Sequence, residues 1–329
     1  MAHLDLSSGS PVASARVASG VLIGLISALG FSLAGPFGKA LADGGWSPVA
    51  TATARTGGAA LLLVLPALLA WRAARPSREL ARSWAGDLLT YGTLGVAGVQ
   101  VFFYSGIQYA PVAIVLLIEF TAPVLLVAWA WLRTRVRPPS RVFLGAAAAI
   151  VGLALVIGVV GGGGVAGETH PLGLAYAAAG AVCLACYFKL ADAHPHRPPV
   201  PMITLAGGGL TIGFITCAVL GATGLLPAVA TFGYVPLGAG HAPWWVPAGG
   251  LALGAGLVAY LLGAFAVRRL GSRNASFLGL SEVLFAAALS WVLLGEALTA
   301  VQGIGAGAVL AGVILVQAAE RQPDIGPIG

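Results

Sequence analysis

Phe102–Arg141 reads FFYSGIQYAPVAIVLLIEFTAPVLLVAWAWLRTRVRPPSR, and this stretch decides how the rest of the chain is read. Two apolar segments meet at Gln108–Pro111, a link short enough only for a tight helical hairpin. The second segment sets Glu119, Thr121 and Pro123 among Ile, Leu, Val, Ala and aromatic residues, then stops at Arg133, Arg135, Arg137 and Arg141. A carboxylate a third of the way along a lipid-length helix costs roughly 2.5–3.5 kcal/mol on insertion scales. Glu119 is therefore expected to face a cavity or a partner, with the remaining segments as its walls.

Composition agrees with a membrane setting. The 329 residues are 58% hydrophobic and 9% charged, and the mean hydropathy is +0.94. Soluble domains carry about 25% charged residues. The net charge of +6 comes mostly from arginines in short loops, a distribution that orients membrane segments and builds no nucleic-acid face. Cys183-Leu-Ala-Cys186 has redox-like spacing but lies inside an apolar segment without further ligands, so it reads as small-residue packing. Asp192, His194 and His196 sit in a short Pro-rich loop and read as solvated residues, not as a metal site. No Gly-x-x-x-x-Gly-Lys-[Ser/Thr] occurs, so the chain itself does not hydrolyse ATP, and no cofactor or metal is called for.

A window of about 19 residues picks out ten spans, at 18–41, 48–71, 86–108, 111–132, 141–161, 171–190, 200–222, 245–267, 274–294 and 299–318. No alternating barrel pattern appears, and bare backbone is not tolerated in lipid, so all ten are expected to be helices of an all-α, multi-pass protein. Arg72, Arg75, Arg78 and Arg82 fall in the loop after span 2, Arg133–Arg141 in the loop after span 4, Arg197 after span 6, and Arg268, Arg269 and Arg273 after span 8. The alternate loops contain neither Lys nor Arg. Both termini are thus expected in the cytoplasm.

A shift of 160 residues lays Val99–Val156 over Ala259–Val316 without gaps. Gly145 falls on Gly305, Ala148 on Ala308, Gly152 on Gly312 and Leu155 on Leu315. Five spans repeat; since five is odd, the second copy enters the membrane upside down, and the loop charges invert accordingly. The expected organisation is a tail at 1–17, a first five-helix repeat at 18–161, a linker at 162–170 containing Gly161–Gly164 at its border, a second repeat at 171–318, and a tail at 319–329. Inverted repeats of this kind place a binding site near the bilayer midplane, where they face each other.

Few ionisable residues lie inside the spans: Lys39, Arg55, Glu119, Lys189 and Glu282. In the repeat alignment Glu282 falls on Ala122 and Glu119 on Gly279, so each half offers one carboxylate from the same helical face, one turn apart. Either carboxylate could bind an ammonium group or carry a proton, or be locked to Arg55 or Lys39. Gln100, Tyr104 and Gln108 recur every four residues and form a polar stripe pointed at the cavity, with Thr121 beside it. Pro36, flanked by Gly35 and Gly38, is expected to break the first helix, and Pro123 the fourth.

These residues resemble the EamA branch of the drug/metabolite transporter superfamily. Leu280-Ser281-Glu282-Val283 followed by Leu293-Leu294-Gly295-Glu296 carries the resemblance in the second copy, with Val283 where the family usually has proline. Tyr91-Gly92, Phe103-Tyr104, Ile107-Gln108, Pro111 and Ile118–Pro123 resemble more specifically the threonine/homoserine exporters. The resemblance spans nearly the whole chain and implies export of small metabolites, amino acids among them, driven by protons across the inner (plasma) membrane. The substrate-binding or coupling set is then Glu119, Glu282, Gln100, Tyr104, Gln108, Thr121, Lys39 and Arg55. Exchange of a larger, anionic metabolite through Lys39 and Arg55 is the second reading. A membrane-embedded transferase is a distant third, because the loops offer only scattered acids and histidines. The charge pattern makes a direct prediction: reporters fused at either terminus read cytoplasmic, and one inserted at Gly238 reads the opposite side.

Overall fold

The computed structural model describes residues 11–135, 137, 139–157, 170–191, 198–296 and 298–319. The Gly161–Gly164 run, the Asp192/His194/His196 group and most of both expected tails lie outside them. The described chain is mostly helical. The first span is α1 (Pro11–Ser32) followed by α2 (Ala34–Asp43), and the second is α3 (Pro48–Ala74). The third combines α4 (Arg78–Thr90), a π-helical segment at Tyr91–Gly98 and α5 (Val99–Gly106). The fourth is split into α6 (Val112–Glu119) and α7 (Ala122–Thr134). After α8 (Ser140–Ile157) the second copy begins with α9 (Pro171–Ala191) and α10 (Met202–Ala222). It continues through α11 (Trp245–Gly250), a second π-helical segment at Leu251–Val258 and α12 (Ala259–Gly279). It ends with α13 (Ser281–Leu294) and α14 (Ala300–Ala319). Six of the helical stretches are long and apolar enough to cross a membrane: Ala18–Asp43, Pro48–Ala74, Arg78–Gly106, Val112–Thr134, Met202–Ala222 and Trp245–Gly263. Four more apolar helices are shorter.

The 160-residue repeat is visible in the backbone. The π-helical segments Tyr91–Gly98 and Leu251–Val258 coincide under it end to end. So do the last residues of α7 and α13, Thr134 and Leu294, each followed by a left-handed residue, Arg135 at φ 59° and Gly295 at φ 75°. The two copies also meet reciprocally. A Cβ on Gly152 would come within 2.7 Å of the Val309 nitrogen, and one on Gly312 within 2.6 Å of the Ala149 nitrogen. Each of these glycines also lies against the carbonyl of a glycine in the other copy, Gly152 against Gly305 and Gly312 against Gly145. Equivalent residues exchanging contacts define a local two-fold axis, and helices α8 and α14 run antiparallel across it. That is the geometry of an axis lying in the membrane plane. α3 and α10 also pack antiparallel, Gly57 against Phe214 and Gly207 against Leu63 and Ala67.

Three features differ from the sequence reading. The fold is not purely α: Tyr234–Leu237 and Gly240–Pro243 form a two-residue-turn β-hairpin between α10 and α11. Gly238 at φ 64° makes the turn possible, and its N–H donates to the Leu293 carbonyl at 2.8 Å. This segment is too rich in Gly and Pro for a lipid-length helix, so strand pairing satisfies its backbone. Second, Arg78 and Arg82 belong to a helix and not to a loop. Ser77 caps α4 by accepting from the Leu80 N–H at 3.3 Å, and Glu79 favours the first turn. Third, helical backbone runs unbroken through Ala259–Gly279, where a turn between spans was expected. The chain nonetheless folds back there. A Cβ on Gly24 would lie 3.5 Å from Ala266 and 2.7 Å from Leu278, two residues that a straight helix would hold about 18 Å apart.

At the centre lies α6, buried at every position from Val112 to Glu119, whereas Leu61, Leu144, Ile304 and Val292 face outward. An eight-residue helix enclosed on all sides has no solvent or lipid face, which explains its unbroken apolar run before Glu119. Because the Gly152 and Gly312 neighbours are backbone atoms that cannot yield, Gly152→Ala and Gly312→Ala should each destabilise the protein by about 1–3 kcal/mol. The thermal unfolding midpoint of the purified protein in detergent checks this, with similar losses expected for the two symmetry-related changes.

Candidate functional site

The site begins with broken helices. Pro36 has no N–H to offer the Ser32 carbonyl, and the helix interrupts at Leu33, whose N–H reaches only Gly30 O at 3.3 Å. Pro123 likewise leaves the Glu119 carbonyl without its usual donor, and the chain breaks at Phe120–Thr121. There the Thr121 hydroxyl donates to the Ile118 carbonyl at 2.6 Å. In the second copy Val283 replaces the proline, yet the helix still interrupts, at Leu280. The Ser281 hydroxyl donates to the Leu278 carbonyl at 2.6 Å, the same bond displaced by 160 residues. Hydroxyl-to-carbonyl bonding substitutes for proline in holding this break.

Between the breaks sits a buried polar cluster drawn from both copies. Arg55 of α3 donates through Nη1 to the Tyr104 hydroxyl and through Nη2 to the Ala255 carbonyl, each at 3.2 Å. Ala255 lies within the second π-helical segment, and such wide turns displace backbone carbonyls from the regular ladder and recur at functional sites. Arg55 Nε has no protein partner, nor do Gln100 Nε2 and Oε1 or Glu119 Oε1. Gln100 is 5% exposed and Glu119 4% exposed, so these are interior groups. The Arg55 cation lies close enough to act electrostatically on both carboxylates, and Glu282 on Glu119. Among the described residues neither carboxylate is within ion-pair distance of Arg55; the ion pair present there is Lys39–Asp43 at 3.2 Å. An unmet interior donor or acceptor costs about 1–3 kcal/mol, more when charged. A group of them around one guanidinium and two carboxylates is suited to a ligand carrying both charges.

The structure divides the residues picked out from sequence. Arg55, Gln100, Tyr104, Glu119 and the half-buried Glu282 belong to the cluster. Thr121 is occupied with the helix break. The expected polar stripe splits: α5 ends at Gly106, and Gln108 lies in the following turn. Gln108 and Lys39 line an open cleft of about 480 Å³ at the hairpin end, together with Asp43, Trp46 and Ser47. Lys39 lies in that cleft, paired with Asp43, and not in the cluster around Arg55. Between cleft and cluster, the bare α-carbon of Gly38 admits the Tyr104 ring, and a Cβ there would reach Tyr104 Cδ1 at 2.7 Å and Ile107 at 3.2 Å.

Sequence reasoning missed Tyr260, which lies close enough to Arg55 to act on it electrostatically. The same 160-residue shift places Tyr260 on Gln100, so the signal was present. Glu296, picked out in the sequence only as part of the second copy's signature, accepts through Oε2 from the Val112 N–H at 3.0 Å. That bond puts a carboxylate of the second copy on the N-terminus of α6, where the helix dipole favours it.

Comparison with known proteins fits this geometry. The sequence pattern of the EamA-like transporter family matches residues 18–158 and 171–318, two repeats. A crystal structure covering 92% of this chain and 98% of its own superposes with a TM-score of 0.55 at 22% identity, which establishes likeness of fold. No curated relative matches.

Because Tyr104 accepts one of the two hydrogen bonds that hold the buried Arg55 guanidinium, Tyr104→Phe should destabilise the protein by about 1–3 kcal/mol. Thermal unfolding checks it, with Tyr109→Phe, a half-exposed tyrosine, as the neutral control.

Proposed function

From the premise that the chain belongs to the EamA-like transporter family, we propose that it is a secondary transporter exporting small zwitterionic metabolites, amino acids among them, with proton coupling. The proposed topology has ten crossings of the inner membrane, the six long helices and four shorter ones, with the repeats at 18–161 and 171–318 and both ends cytoplasmic. The alternation of arginine-bearing and arginine-free loops supports that orientation.

The observation that carries the reading is the buried grouping of Arg55, Glu119 and Gln100 with polar atoms lacking protein partners. A guanidinium presents a planar fork of donors that matches a carboxylate. A carboxylate held near it without pairing suits an ammonium. The two together bracket an amino acid, with Gln100 and Tyr104 able to bond its polar groups. One guanidinium faces two carboxylates, Glu119 and Glu282. Arg55 balances one negative charge; the other is available to a proton or to the substrate's ammonium. Competition between these two occupants ties proton movement to substrate movement.

Efflux from cells preloaded with labelled threonine tests this. Expression should speed efflux, and Glu119→Gln or collapse of the proton gradient should abolish the gain. Efflux no faster than from empty cells removes the amino-acid assignment, and an undiminished Glu119→Gln variant removes the site.

A further inference from the structure

Close-packed glycines in this fold sit mostly against apolar side chains or backbone: Gly35 faces Val112, Gly57 faces Phe214, and Gly207 and Gly152 face the Leu63 and Gly305 carbonyls. Gly180 on α9 sits against a carboxylate instead. A Cβ there would overlap Glu119 Oε1 and lie 3.0 Å from Glu119 Cδ and 3.2 Å from Cγ, and these are its three nearest atoms. The space left by the missing side chain is filled by one flexible carboxylate. A helix interior gains stability from replacing glycine, so a fold-neutral position here would have no reason to stay bare.

The second copy shows what the same place becomes without a carboxylate. Gly20 packs on Arg269 and Leu270, and Gly173 on Tyr109 and Ala110, which are the counterparts of 269 and 270 under the 160-residue shift. The start of each copy is thus related by 153 residues, Gly20 to Gly173, and Gly180 corresponds to Ser27. Glu119 corresponds to Gly279. The side chains at the two corresponding positions have changed: Glu119 and Gly180 in one pair, Gly279 and Ser27 in the other. Ser27 turns its hydroxyl to the Ala259 carbonyl at 2.7 Å, and a Cβ on Gly279 would meet nothing within 4 Å. The scaffold is duplicated, but the carboxylate seat is built once.

We infer that Gly180 is a positioning residue that seats the Glu119 carboxylate against α9, apart from Arg55. Any side chain at 180 drives the carboxylate out of that seat, and because the displaced atoms are a side-chain end, the helices can stay where they are. The effect on transport rests on the function proposed above; the seat itself does not.

A double-mutant cycle on unfolding midpoints of the purified protein tests the seat. Gly180→Ala should lower the midpoint in the wild-type background and raise it, or leave it unchanged, once Glu119→Ala has removed the carboxylate. Equal effects in both backgrounds, or none in either, overturn the inference. In threonine efflux, Gly180→Ala should cost about 10–100-fold, as misplaced reacting groups do. Gly180→Ala with Glu119→Asp should recover part of the loss, since a side chain shorter by one methylene withdraws from the new methyl. Failure of that recovery in a folded double variant also counts against the seat. A coupled cycle beside an active Glu119→Gln variant would uphold the seat while overturning the transport role of Glu119.

Discussion

No group in this chain is harder to keep in place than the guanidinium of Arg55. It lies in a helix of lipid length, is always charged, and has five donors to satisfy. The surroundings answer with the Tyr104 hydroxyl from the first copy and the Ala255 carbonyl from the second. That carbonyl sits within a π-helical segment, whose wider turn alters the regular bonding ladder. Tyr104 in turn needs Gly38 bare to fit its ring, and Gly38 lies in α2, the half-helix set off by Pro36. Helix breaks, the wide turn and close-packed glycines are thus parts of one arrangement around a single charge.

Much of this was legible in the sequence because lipid leaves few options. A charged residue inside a long apolar run stands out, and Arg55, Glu119 and Glu282 were found by that alone. The repeat was legible from glycines, since Gly145, Gly152, Gly305 and Gly312 keep register where backbones touch. What was not legible depends on which neighbour a side chain meets. Gln108 continues the i, i+4 stripe of Gln100 and Tyr104, but the helix ends at Gly106 and points it elsewhere. Lys39 looked like a partner for Arg55, yet four residues onward Asp43 claims it. The hairpin was hidden because a loop of Gly, Pro and small apolar residues has no periodicity to read, although its Val235 packs against Gly44 and its neighbour Trp46 stacks on Trp244 at 5.7 Å.

The two breaks in the fourth and ninth spans show one backbone geometry reached from different chemistry. Proline imposes it in the first copy by withholding a donor; in the second, Val283 withholds nothing. What both share is a hydroxyl at equivalent positions of the break, Thr121 or Ser281, bonded three residues back. A motif search keyed to proline would pass over the second site, whereas one keyed to a hydroxyl three residues after the start of the last turn would find both.

Were the two halves identical, the forms open to either side of the membrane would be exchanged by the two-fold axis and would have equal free energy. Such a carrier would rest with half its molecules facing each way. This chain departs from that degeneracy wherever a bond lacks its mirror image. Glu296 caps Val112, while the corresponding position 136 is valine and offers no acceptor side chain; Arg55 corresponds to no second arginine. Each 1.4 kcal/mol of such imbalance tilts the resting population about tenfold. In a carrier of this kind the duplication would supply the ability to face both ways, and the unmatched residues would set which way it faces while it waits.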